Sequence, residues 1–173
     1  GLRRCYEQIR QCYLAFADYT AAALFAIMGM DSTAAARTGD PIMHIPDGFI
    51  DGKTVVVTTT LAAVGVGLAL NRVRHTLPPR KIPLLGLSAA FLFAAQMLNF
   101  PVVAGTSGHL IGGVLVAALL GPSAAVVVVT TVLIVQCFLF QDGGVLALGA
   151  NVFNMAILGA GGGWVIYRCV CAF

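Results

Sequence analysis

From Ile82 to Tyr167 the chain carries one formally charged side chain, Asp142. No water-facing surface can be built from such a stretch, so its surroundings must themselves be apolar. The whole sequence agrees: hydrophobic residues make up 59% and charged residues 10%, against roughly 45–50% and about 25% in ordinary soluble domains. A chain buried in lipid must satisfy its backbone polar groups internally, which leaves helices or a closed barrel. Runs such as Val126–Val129 have strand-like composition, but their length and the lack of turn signals favour helix. The expectation is an all-α, polytopic transmembrane helical bundle. The net charge of +3 is no argument for nucleic acid, because the basic residues gather in loops and near the ends.

A spanning helix needs about 20 mostly apolar residues. The candidates are Cys12–Met30, Thr54–Leu70, Pro83–Asn99, the short Gly108–Leu120, Ala124–Phe140 and Ala150–Tyr167. The first follows Arg3, Arg4 and Arg10 and has the outline of a secretory signal. It reads better as an uncleaved anchor or as sequence foreign to the mature protein. Residues 1–42 are therefore expected to form an N-terminal extension, and residues 43–173 the bundle. Gly112, Gly113, Gly159 and Gly161–Gly163 suit close helix–helix packing.

Lys/Arg bias fixes the orientation. Arg72, Arg74, Arg80 and Lys81 mark a cytoplasmic loop. Counting spans outward from it places Met43–Lys53, Phe100–Ser107 and the "QDGGVLALG" segment outside, and Arg168 inside. His44 and His109, 65 residues apart, both fall on the outer side. His75 lies among the arginines as a solvated loop residue.

The polar residues of the outer side are the candidates for chemistry. Met43-His44 at a free N-terminus would offer an amine, a deprotonatable amide and an imidazole in one plane. His109, in the Gly/Ser/Thr-rich "AGTSGHLIGG", is the natural fourth donor, completing the square that Ni(II) and Cu(II) favour. The plainer readings are a surface-loop histidine for His44 and a backbone-bonded helix-start residue for His109. A histidine at membrane depth is costly and usually functional. Asp142 either orients an imidazole or caps its own turn. Asn99, Ser107 and Asn151 fall where they could tie loops around the site, and Gln96 and Asn154 read as interhelical hydrogen-bonding groups. The five cysteines contain no C-x-x-C pair, and no catalytic residue is assigned. There is no G-x-x-x-x-G-K-[ST] loop, so no nucleotide is expected on this chain.

Together, "MHIPDGF", "NFPVVAGTSGHLIGG" and "QDGGVLALGANVFNM" resemble the CbiM/NikM family, the membrane-embedded substrate-binding component of cobalt/nickel energy-coupling-factor transporters. The resemblance covers Met43 to about Val170. It implies a plasma (inner) membrane protein that captures Co(II) or Ni(II) from outside as transported substrate. The implied ligands are the Met43 amine, the His44 amide and imidazole, and the His109 imidazole, with Asn99 and the Asp142 loop in support. The implied partners are a second membrane subunit, a small membrane subunit and cytosolic ATPases. Family members continue beyond the equivalent of Phe173, so C-terminal truncation is expected. With residues 1–42 attached, the Met43 nitrogen is a peptide amide; the amine requires translation or processing to begin at Met43. Two other classes stand against this reading: an intramembrane metal-dependent enzyme built on His44, His109 and Asp142, and a scaffold without a ligand. An enzyme would need an open coordination position, which a closed four-nitrogen plane lacks.

Overall fold

The structure is a computed structural model that describes residues 44–98, 100–101 and 107–171. The expected Cys12–Met30 span and Met43 lie outside them.

An extended entry segment leads into α1 (Gly52–Thr76). Asp51 caps this helix, accepting from the Lys53 N–H and the Thr54 hydroxyl. The Thr54 hydrogen bond, helped by backbone N–H groups, holds the Asp51 carboxyl below its usual range against the opposing effect of desolvation. α1 runs further than the apolar run that announced it, through Arg72 and Arg74. Basic side chains suit a helix C-terminus, and nothing breaks the helix until Pro78 and Pro79. A 3-10 turn (Pro79–Lys81) leads into α2 (Ile82–Gln96). A two-residue antiparallel ladder follows, β1 (Phe100–Pro101) on β2 (Ser107–Gly108). Then come α3 (Gly113–Leu120) and α4 (Pro122–Phe140), which has its proline in the first turn, where the missing N–H costs nothing. α5 (Leu148–Val152) continues through a π-helical stretch (Phe153–Gly162) into α6 (Gly163–Cys171) without leaving right-handed helical backbone. The valine-rich run of α4 is helical, as its length required.

α4 is the centre of the fold. Ala125, Val128, Val129, Val132 and Leu133 are buried among α1, α2, α3 and the long helix 148–171. The outer helices are arranged the other way round from a soluble protein. α1 buries Thr58, Ala62 and Ala69 and turns Val56, Val57, Leu61, Val64 and Leu68 outward. Small residues inside and large apolar ones outside is the pattern expected when the solvent is lipid. Two of the described helices, α1 and α4, are long and apolar enough to cross a membrane.

α1 and the long helix run in the same direction, with Thr59 against Gly149 and Gly65 against Ile157. Asp51 and Asn151 therefore share one end of the bundle, and Arg72, Arg74 and Arg168 the other. α3 also runs parallel to the long helix but starts partway along it. Gly113 faces Ala160, and Val114 faces Gly163. The sequence suggested a helix from Gly108. Instead residues 109–112 enter the bundle as irregular backbone, and Gly112 turns into α3 with φ 63°.

Candidate metal centre

The site lies at the end of the bundle opposite Arg168, where the entry segment meets the turn between α4 and α5. The segment is anchored by its backbone. The Ile45 N–H donates to Asn151 Oδ1 at 3.0 Å, and Asn151 Nδ2 donates to the Ile45 carbonyl at 3.2 Å. The Ile45 carbonyl also accepts the Gly144 N–H at 2.9 Å. Two residues on, the Asp47 carboxylate accepts from the N–H groups of Val145, Leu146 and Ala147 at 3.1, 2.8 and 3.1 Å. These are the free donors of the turn that opens α5, so Asp47 caps a helix nearly 100 residues away from it.

This strap presses His44 into the bundle until 4% of it is exposed. Room is made by Gly143. Its φ is 96°, and a Cβ there would stand 2.9 Å from the His44 Cβ. Only glycine meets both conditions. His44 Nδ1 lies 3.1 Å from Asp142 Oδ1. The approach is close enough for an ion pair but lacks hydrogen-bond geometry, so both ring nitrogens of His44 are buried without a hydrogen bond. A buried imidazole left without hydrogen bonds is costly unless a ligand completes it.

His109 reaches the same place from the irregular segment after β2. Its ring centroid is 5.6 Å from that of His44, with the planes tilted by 55°. Two imidazoles that each hold one ion at about 2.0–2.1 Å have centroids roughly 4.5–6.5 Å apart, so the spacing fits a shared ion. Among the described residues no three His, Cys, Asp or Glu side chains converge on one point. Asp142 therefore stands behind His44 and does not close a three-ligand set.

Of the other residues singled out in the sequence, Asn151 holds the His44 segment, and Ser107 pairs with Pro101 in the ladder just ahead of His109. Asn99 lies outside the described residues. His75 is exposed, as expected, but it lies in the last turn of α1 and not in a loop. Gln96 makes its interhelical bond, accepting from Gln136 Nε2 at 3.1 Å, whereas Asn154 Oδ1 is buried without a hydrogen bond. The reading missed Asp47 and Gln136. "IPDGF" signals a turn around Asp47, but nothing local points to donors beyond Gly144.

A family described as cobalt uptake substrate-specific transmembrane region matches residues 44–173. A putative metal transport protein of Haloquadratum walsbyi is 44% identical over 126 residues, covering 73% of this chain and 58% of that protein. A putative fused nickel transport protein of Archaeoglobus fulgidus is 44% identical over 131 residues, covering 76% and 43%. The crystal structure of a truncated transition metal transporter superposes with a TM-score of 0.70 at 38% identity, covering 75% of this chain and 61% of that one. The chain thus spans about half the length of the relatives it matches. With that much shared sequence and a shared fold, the chain belongs to the cobalt uptake substrate-specific transmembrane region family.

Proposed function

We propose that this chain is the metal-capturing component of an uptake system for Co(II) or Ni(II). The observation that carries the reading is the meeting of two imidazoles from distant segments, one of them buried with neither nitrogen hydrogen-bonded. His44 and His109 supply the side-chain nitrogens, the His44 amide and, once translation or processing begins at Met43, the Met43 amine complete the set, and Asn151 and Asp142 hold the His44 segment, with Asn99 and Ser107 in support. Nitrogen ligation selects against Mg(II) and Ca(II), which prefer six or more oxygens. Amide and imidazole bind only when deprotonated, so binding releases protons and weakens in acid.

The metal is cargo, and the chain is a multi-pass protein of the plasma (inner) membrane. Its histidine end faces the extracytoplasmic side and its arginine end the cytoplasm, following the positive-inside rule. Residues 43–173 form the metal-binding unit and residues 1–42 an extension. Release inward is driven by a second membrane subunit, a small membrane subunit and cytosolic ATPases. The enzyme alternative has no support in the relatives, whose names are those of transport proteins.

The test is uptake of radioactive Ni(II) and Co(II) by cells that produce the whole transporter. His109→Ala is expected to reduce uptake by more than the roughly 10–100-fold typical of supporting residues, whereas His75→Ala leaves it unchanged. Undiminished uptake by His109→Ala would overturn the proposal.

A further inference from the structure

The irregular segment that delivers His109 lies where backbone is expensive. Leu92 packs over Gly112 on one side, and the long helix lies on the other, with Gly159 against Ile111. Away from water every carbonyl in such a segment needs a partner. The Ile111 carbonyl accepts from Gln96 Nε2 at 3.1 Å, and Gln96 Oε1 accepts in turn from Gln136 Nε2 at 3.1 Å. Both glutamines are fully buried.

Gln136 has a second connection. Its backbone carbonyl accepts the N–H of Gln141, which ends α4 in left-handed conformation, and the N–H of Asp142 at 3.1 Å. Asp142 is the residue against His44. One residue thus holds the His109 segment through its side chain and the Asp142 turn through its main chain. Simple stability does not require this arrangement. It leaves Gln136 Oε1 buried without a hydrogen bond, a cost to stability.

Building on the metal-capture reading, we infer that Gln136 is a positioning residue that sets the separation and tilt of the two imidazoles through Gln96 and Ile111 on one side and Asp142 on the other. It touches neither the ion nor the rings. Its loss leaves both histidines present but frees the His109 segment relative to the Asp142 turn, so the fault appears in the geometry of the bound ion.

The test uses the full chain in detergent with Ni(II) as the probe. It reads affinity by equilibrium dialysis, the visible absorption of bound Ni(II), and the thermal midpoint of the metal-free protein. Gln136→Leu and Gln96→Leu are each expected to weaken Ni(II) binding about 10–100-fold, the range typical of residues that orient ligands, and to shift the absorption band. The double Gln96→Leu/Gln136→Leu variant regains thermal midpoint relative to Gln96→Leu, in which the Gln136 amide is left buried without its partner, and keeps the altered band. Val132→Ala, a core change outside the network, lowers the midpoint and leaves the band in place. A double variant with wild-type affinity and band would overturn the inference. His44→Ala is run alongside. If it loses Ni(II) while Gln136→Leu does not, only the inference fails; if it binds Ni(II) like the wild type, the metal site and the inference fail together.

Discussion

The Asp47 carboxylate accepts from three consecutive backbone N–H groups that lie 98–100 residues further along the chain. With Asn151 it decides where His44 can be. The asparagine fixes the backbone at Ile45, and the carboxylate fixes it two residues later, so the imidazole cannot swing out of the bundle without breaking both. Asp47→Ala should cost about 1 kcal/mol of stability, the usual value of a helix cap, read as a lower thermal midpoint of the metal-free chain. Asp47→Asn should recover part of it, because its carbonyl oxygen still accepts. A midpoint unchanged in Asp47→Ala would mean the strap is held by Asn151 and Gly144 alone. At this scale the sequence was half legible. His109, Asp142 and Asn151 could be picked out because polar groups are conspicuous in apolar surroundings, and His44 because the Met-His pair sets an amide beside an imidazole. Asp47 could not, because it sits in a turn where an aspartate needs no explanation.

Among the elements, α3 and the long helix show how small residues set the depth of the site. Gly113 meets Ala160 so closely that a Cβ would stand 2.8 Å from the alanine Cβ and 3.2 Å from its Cα. The backbone, not a flexible side chain, would have to give way. Gly113→Ala should therefore destabilise the fold by about 1–3 kcal/mol, as overpacking usually does. It should also weaken Ni(II) binding, since α3 and the His109 segment move together. Gly161→Ala is the matching control: it faces open space, so it should not lower the thermal midpoint, which helix propensity favours raising, and should leave the affinity unchanged. The helices themselves were legible from hydropathy, and their ends were not. α1 outran its apolar stretch because arginines are tolerated at a helix C-terminus. The segment before α3 is irregular where the sequence suggested helix, and its Ile111 carbonyl is paired with Gln96.

For the molecule as a whole, the parallel course of α1 and the long helix gives the bundle two unlike ends. The histidines and Asp47 mark one, and Arg72, Arg74 and Arg168 mark the other. Arg168 lies over the Trp164 ring at 5.4 Å, a pairing of the kind found at membrane surfaces. The free, exposed Cys169 and Cys171 sit beside it. With Cys5, Cys12 and Cys137 replaced by serine, a membrane-impermeant thiol reagent should label Cys169 and Cys171 only after cells are permeabilised. In a version where these two are serine as well, Leu146→Cys at the histidine end should label in intact cells. The opposite pattern would invert the proposed direction of capture. By itself the sequence determined the surroundings, the helical class and the separation of basic from histidine-bearing segments. Transfer into lipid depends on composition summed over about twenty residues, and such sums can be read locally. Only the tertiary structure decided that the rings of His44 and His109 stand 5.6 Å apart, that Asp47 and Asn151 anchor the segment carrying His44, and that Gln136 bonds Gln96. Those contacts join residues 40 to 106 positions apart, and hydrogen bonds that depend on direction and fractions of an ångström leave no periodic trace in the chain.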